Sequence, residues 1–389
     1  MARRPRRKTP RNEILQGQQM RIKKILGRTV LAAFGLYILW LGWQIARFKR
    51  YESPISTTAQ AALTAPPLYE FSGVYHIHSR YSDGWKTVDK IAETAAGAGL
   101  DFIILTDHGK PNYASLDAQG WNHGLLVLAG SELSTNRGHM VALGFDRPKN
   151  STAFSQDAEV AVREIVALGG FAIIAHPYSK VRWSWGDLFE YAGIEIIDAD
   201  SMLKRHPVRS LSYLPALLIK PGFALLKMID PPEQALRKWD QLLSRRPALG
   251  FFSADAHLLY GAIFPVFHLH VLLDRPRSAD FETARRQVFD ALRRGSFYSA
   301  VDAAADARGF RFWLEAGSLR AIAPFFFAHE TVIIHDGKMI HRTRDNEVTL
   351  PLSGPGVYRA EVYLRERTPL APGVPWILSN PIYFGRENP

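Results

Sequence analysis

At 389 residues the chain is long enough for one large domain plus a small one, with a core that needs no disulfide or metal to hold it. Its formal charge of +11 is concentrated at one end: residues 1–50 hold 13 of the 48 Lys and Arg but one of the 37 acids, Glu13, leaving 35 basic against 36 acidic residues beyond. A near-neutral remainder argues against general nucleic-acid binding, and the absence of cysteine excludes disulfides and thiolate metal ligands while leaving the compartment open.

In chain order, residues 1–28 form a basic arm with ten Lys and Arg, and Thr29 to Ala46 follow as 18 residues without a formal charge. That stretch is just long enough to cross a bilayer as a helix. Tyr37, Trp40 and Trp43 give it the aromatic character of an interface, and the smaller cluster Arg47, Lys49 and Arg50 closes it. The excess of positive charge before the span predicts a cytoplasmic N-terminus in a single-pass inner membrane, with the rest on the far side, the periplasm in a bacterium. The lipid bilayer is then a partner through residues 29–46. A cleaved signal peptide is the rival reading, but the apolar stretch is longer than a typical signal core and runs at once into Arg-Phe-Lys-Arg. Residues 47–67 read as a linker, small and Pro-containing in composition.

From Leu68 short apolar runs alternate with helical patterns. Strands are expected at Gly73–His78, Phe102–Asp107, Leu125–Glu132, Met140–Phe145, Phe171–His176, Ile194–Asp200 and Gly250–Ala254, and helices at Thr87–Ala98 and Asp157–Leu168. Repeated strand-then-helix order predicts a parallel, barrel-like α/β domain over 68–308, whose chemistry sits at the C-terminal ends of its strands. Residues 206–246 interrupt the rhythm with an apolar insertion, read as a helical hairpin buried against the barrel or, alternatively, a lid resting on the membrane. Asp280–Arg294 is an amphipathic helix stopped by Gly295. Over 309–389 the pattern changes to short β-type runs with an Asp336-Gly337 hairpin turn, which predicts a small β-sandwich-like domain.

The chemistry-bearing residues fall at the ends of the expected strands. His76 and His78 alternate in YHIHSRYSDG, so a period of two puts both imidazoles on one face, and Asp83 follows in a turn. Alone, such a pair is as consistent with packing as with a metal. The later strands end in Asp107-His108, Glu132, His176 and Asp255-Ala256-His257, and His139 opens another. Burying so many polar groups without partners would be costly. Mixed imidazole and carboxylate donors suit zinc, manganese or iron and not calcium. His268 and His270, inside an apolar strand, read as packing, and His206, His329, His335 and His341 as surface residues.

Taken in order, HIHSRYSDG, LTDHG, GSEL, IIAHP and SADAH resemble the successive motifs of the PHP (polymerase and histidinol phosphatase) superfamily over roughly residues 70–300. The ending PWILSNPIYFG resembles the carbaryl-hydrolase-like branch. The resemblance implies a distorted (β/α)7 PHP barrel and a hydrolase with two to three divalent metal ions. One ion would be held by His76, His78, Glu132 and Asp255; Glu132 would bridge to a second, completed by His139 and His176; Asp83, His108 and His257 would hold the third. His123 is the alternative to His139, and Gly109 stands where relatives often carry an Asn. Asp107 and Glu132 are the catalytic candidates, Asp107 for orienting a ligand or moving a proton.

Clustered divalent ions activate a bridging water and neutralise developing charge, so hydrolysis needs no covalent intermediate. Phosphoesters, small or carried as a lipid headgroup, are the expected substrates because several ions neutralise several phosphate oxygens. Carboxyl or carbamate esters are the second possibility. A membrane-tethered binding protein with a structural metal site is the third, and DNA end-processing conflicts with the anchor and the near-neutral barrel.

Overall fold

The computed structural model describes residues 10–48, 68–148, 153–178, 183–186, 190–205, 207–324, 329–365, 368 and 370–385. Residues 49–67 of the expected linker lie outside them, as does His206. The chain divides into two units, residues 1–49 and 50–389.

The first unit is a single helix, α1 (Pro10–Arg47). It starts 19 residues before the expected span, with Pro10 as its first residue, where the missing N–H costs nothing. Its stretch Gln18–Arg47 is 30 residues long and apolar enough to cross a membrane. At 1.5 Å per residue that is about 45 Å, against a hydrocarbon layer of about 30 Å.

The second unit is mixed α/β. Its first strands are β1 (Tyr69–Ile77), β2 (Phe102–Leu105), β3 (Gly120–Asn122), β4 (Leu125–Ala129), β5 (Ser131–Thr135), β6 (Gly138–Leu143), β7 (Phe171–Ile174), β8 (Gly193–Asp198), β9 (Leu249–Ser253), β10 (Phe267–Leu273) and β11 (Phe297–Val301). Between them lie α2 (Val88–Gly97), α3 (Tyr113–Asp117), α4 (Ala158–Ala167), α5 (Ala199–Arg205), α6 (Pro207–Ile219), α7 (Pro221–Leu226), α8 (Glu233–Leu243), α9 (Tyr260–Ile263) and α10 (Phe281–Arg293). The helices start where the sequence offers a cap: Thr87 accepts from the Lys90 amide, Asp157 from Glu159 and Val160, and Asp280 from Thr283. On α10, Ala284, Val288 and Leu292 are buried as their spacing predicts.

The sheets are large and mixed rather than uniformly parallel. β1, β2 and β4 run parallel, as do β7, β8 and β9, but β5, β6 and β7 pair antiparallel. Only Asn136 and Arg137 separate β5 from β6, a connection too short for parallel strands. The expected strand Leu125–Glu132 is split into β4 and β5 at Gly130. A Cβ there would lie 2.2 Å from the Ala142 carbonyl oxygen, so only glycine allows the chain to bend against β6. Past β9, the Ala254 and Ala256 amides donate to the carbonyls of Tyr75 and His76 (both 3.1 Å), and the His78 amide donates to Ala256 (3.0 Å). Hydrogen bonding therefore carries on from the end of β9 to the end of β1. Tyr75, Ile104, Leu128, Val141, Ile173 and Phe251 belong to the core cluster packed between the strands and α10.

The C-terminal strands are β12 (Arg311–Glu315), β13 (Ser318–Ile322), β14 (His329–His335), β15 (Lys338–Thr343), β16 (Glu347–Pro351), β17 (Gly356–Leu364), β18 (Ile377–Ser379) and β19 (Ile382–Phe384). β10 pairs with β1, β11 with β10, and β18 with β11, so one eleven-stranded sheet runs from β3 to β15. β12, β13 and β16 form a separate three-stranded sheet. Asp336 and Gly337, both at positive φ (47° and 74°), turn β14 into β15 as expected. His329, expected at the surface, is buried. In the insertion, Phe223, Leu225 and Leu226 of α7 are buried, whereas α6 turns most of its large apolar side chains outward.

Candidate metal centre

The first ligand pair is not placed by strand alternation alone. The register of β1 against β2 shifts between Tyr75 and Ile77, and His76 sits at φ 68°. His176 (φ 28°) and Asp255 (φ 42°) share this left-handed conformation, which costs a residue bearing a Cβ. Three strained positions at three strand ends, all turning side chains toward one point, mark the site.

That point is Glu132. His76 Nε2 and His78 Nε2 lie 3.3 and 3.1 Å from its Oε2, and 3.3 and 3.2 Å from Asp255 Oδ1. On the other carboxylate oxygen, Oε1, His139 Nδ1 approaches to 2.9 Å and His176 Nε2 to 3.0 Å. Asp83 faces His78, His108 and His257 at 3.3, 3.6 and 3.3 Å. His108 Nδ1 is also 3.4 Å from Glu132, so this imidazole stands between two groups. All nine ligands anticipated from the sequence are brought together. His123 is not: it is exposed and paired with Asp89 at 3.2 Å.

Electrostatics binds the cluster. Burial alone would lower the pKa of His76, but Glu195, Asp255 and Glu132 outweigh it and raise it well above the usual value. His176 is pushed up to about 9 against its own burial, chiefly by Glu132. Burial opposes ionisation of Glu132 too, yet the surrounding imidazoles hold it well below the usual carboxylate range. Imidazoles and ionised carboxylates held this close form a donor set in which a divalent cation would take the place of the imidazole protons.

The donor geometry fits divalent metals. His76 Nε2, His78 Nε2, His108 Nδ1 and Asp255 Oδ1 are buried with no hydrogen-bond partner among the described residues. Leaving such atoms unsatisfied costs about 1–3 kcal/mol each. The ligand atoms of His76, His78, Glu132 and Asp255 all lie within 4.8 Å of one another, as do those of His78, Asp83, His108 and His257, and of His108, Glu132 and His139. A cavity of about 720 Å³ opens over them, lined among others by Asp83, His139, His257, Lys204 and Arg205.

Asp107 does not meet this cavity. It is buried, and its carboxylate accepts from the Ser79 amide (2.6 Å) and from the hydroxyls of Ser79 (2.8 Å), Ser82 (2.7 Å) and Ser115 (2.9 Å). With both oxygens engaged, it orders the loop carrying Asp83, a geometry that matches the orienting alternative for Asp107. Tyr260 helps from the other side: its hydroxyl is 2.7 Å from the carbonyls of both His78 and His257.

Two carboxylates were missed in the sequence. Glu195 Oε1 is 2.7 Å from His76 Nδ1, and its Oε2 accepts from the His176 amide at 2.6 Å. Asp198 accepts from the Ser201 amide at 2.7 Å; burial and the nearby charges of Asp255 and Glu195 push it up to about 7. The available signal was an acid within the apolar run of GIEIID, where an unpartnered charge would not be tolerated.

No family model matches the chain. An uncharacterized protein of Methanocaldococcus jannaschii is 28% identical over 144 residues, covering 32% of this chain and 80% of that protein. Among solved structures, a two-domain protein from Bacteroides vulgatus described as containing a predicted PHP-like metal-dependent phosphoesterase is similar at a TM-score of 0.42 and 14% identity, over 86% of this chain and 99% of that one. A protein from Bifidobacterium adolescentis described provisionally as a metal-dependent phosphoesterase gives 0.32 at 15% identity, over 48% and 87% of the two chains. An amidohydrolase from Chromobacterium violaceum, with bound sulfate and no metal, gives 0.32 at 17%, again over 48% and 87%. These neighbours give the carbaryl-hydrolase-like branch no support.

Proposed function

We propose that the chain is a membrane-anchored, multinuclear metal-dependent phosphoesterase of the PHP type. The observation that carries the reading is the convergence on Glu132 of buried donor atoms from His76, His78, His108 and Asp255, which face one another and Glu132 at 3.1–3.4 Å. The bonding from β9 back to β1 supports a distorted seven-stranded barrel with the cluster at its strand ends. The length and composition of α1 support a single span; the basic arm favours a cytoplasmic N-terminus and, with it, a catalytic unit on the far side of the inner membrane.

Glu132 with His76, His78 and Asp255 would hold one ion, Glu132 with His139 and His176 a second, and Asp83, His108 and His257 a third. Bound zinc, manganese or iron would supply an activated water and neutralise phosphoryl oxygens. The chain's own residues do the rest. Glu195 fixes the tautomer and ring plane of His76, Asp107 holds the Asp83 loop, and Lys204 and Arg205 at the cavity rim favour an anionic substrate. Arg205, beside a Lys204 that is paired with Asp200, favours phosphoesters over neutral carboxyl or carbamate esters.

The test is elemental analysis of the full chain purified without chelator, alongside His76→Ala and Asp255→Ala, followed by turnover of phosphomonoesters, phosphodiesters and aryl esters. Two to three metal equivalents, reduced in the folded variants, with phosphate released, is the expected result. Turnover of aryl esters alone would shift the substrate class. Metal without any turnover would favour a binding protein with a structural site.

A further inference from the structure

Helix α6 is amphipathic in the reverse sense. Facing the protein, the Arg209 guanidinium donates to the Met228 carbonyl (2.9 Å) and to Asp230 (2.7 Å), Tyr213 packs edge-on against Phe223 and Ala216 is fully buried. On the opposite side Val208, Leu211, Leu214, Leu218 and Ile219 recur at helical spacing, each more than half exposed and Leu218 at 89%. A contiguous aliphatic stripe of this kind on a soluble surface marks a contact site.

We propose that this face of α6 docks on the lipid bilayer and brings the metal cavity to headgroup level, so that the substrate is a membrane amphiphile carrying a phosphate ester. The proposal rests on the phosphoesterase and anchor readings above and deepens them. Three observations select lipid over a protein partner. From Ser201 to Ile229 the chain has no acidic residue but five basic ones; Arg209 is turned inward onto Asp230 and Lys204 pairs with Asp200, and the other three, Arg205, Lys220 and Lys227, keep a basic balance that suits an anionic membrane surface. The tether is short: the 21 residues 48–68 between α1 and β1 span at most about 75 Å, which keeps the bilayer at high effective concentration. Finally, α5 contributes Asp200, Ser201, Lys204 and Arg205 to the cavity and only residue 206 separates it from α6 in the sequence, so the docking face and the cavity lining are close neighbours along the chain.

The chain lacks cysteine, so Leu218→Cys offers a single attachment point for an environment-sensitive fluorophore, with Met339→Cys on exposed β15 as the reference. In full-length protein reconstituted into phosphatidylcholine and phosphatidylglycerol vesicles, the probe at 218 should be blue-shifted, quenched by acyl-brominated lipid and shielded from iodide. The probe at 339 should show the opposite. A second variant, Leu211→Asn with Leu218→Asn, should slow hydrolysis of vesicle-borne phosphatidic acid and leave a soluble phosphomonoester untouched. Equal iodide quenching at 218 and 339 overturns the proposal, as does shielding of 218 from both quenchers, which means that protein covers it. Failure of the anchor reading looks different: the protein leaves membranes in alkaline carbonate while the probe at 218 still enters added vesicles. Failure of the phosphoesterase reading is different again, with lipid quenching at 218 but no phosphate released from either substrate.

Discussion

Glu195 Oε1 lies 2.7 Å from His76 Nδ1, and both side chains are buried. A carboxylate behind a metal-binding imidazole fixes its tautomer and raises its basicity, and losing one typically lowers metal affinity about 10–100-fold. Glu195 also accepts from the His176 amide, so one side chain braces ligands of two proposed sites. Glu195→Ala should stay folded while its metals transfer to a competing chelator far more readily than those of the wild type. Glu195→Gln, which keeps an acceptor for one of the two contacts, should fall between them. Unchanged metal competition in a folded Glu195→Ala would remove the bracing role.

Asp107 gives a prediction that separates positioning from proton transfer. Its four donors need a carboxylate; an amide has a single acceptor oxygen, and each donor left unsatisfied costs about 1–3 kcal/mol. Asp107→Asn should therefore loosen the loop of Ser79 and Ser82 and lower metal content by the one ion proposed at Asp83, His108 and His257. Metal counting by elemental analysis checks this. Full metal content with turnover abolished would return Asp107 to the reacting groups.

Gly84 closes the same loop. A Cβ at this position would lie 2.2 Å from the His78 carbonyl oxygen and 2.7 Å from the Ser79 amide nitrogen, so the backbone must move for any other residue. Gly84→Ala should shift Asp83 away from His257 and lose the same ion as Asp107→Asn. In the double variant the two losses should not add, because both act through one loop. Additive losses of metal would show that they act separately.

The ligand set was legible because its residues are chemically conspicuous: imidazoles and carboxylates ending apolar strands have few other reasons to be there. The element boundaries of α2, α4 and α10 were legible from their caps and periodicity. What supports the ligands was not. Glu195 is one acid in one strand, and its partners His76 and His176 come from other strands. The left-handed backbone at His76, His176 and Asp255 leaves no trace in residue type, since none is glycine. Strand alternation gave the right pairing of His76 with His78 although the strand is irregular there. Nor could the sequence show which strands pair antiparallel, or that β18 would join β11 and extend the sheet into the C-terminal region.

His268 and His270 were read as packing, and the structure shows them buried in an ion network that makes a prediction about pH. His270 Nδ1 is 2.9 Å from Glu70 and its Nε2 3.2 Å from Asp302, while Asp302 also meets His268 at 2.7 Å and Glu70 meets Arg311 at 2.7 Å. Burial would depress His270, but Asp302 and Glu70 raise it to about 10. Burial likewise opposes ionisation of Glu70, yet His270 and Arg311 bring it down to about 2. For His270, raised above an unfolded value of about 6.5, the stabilisation is complete below that value and lost as pH rises through about 10. For Glu70, lowered from about 4.5, it is complete above that value and lost as pH falls toward about 2. Stability should therefore be greatest between about pH 5 and 6.5 and decline on both sides. His270→Ala leaves two buried carboxylates short of a cation and should cost about 3–5 kcal/mol. Denaturant titrations of wild type and variant from acid to alkaline pH would check both points: the variant should lose the part of the alkaline decline that His270 causes. An alkaline limb identical in the two proteins would assign the network a packing role and no electrostatic one.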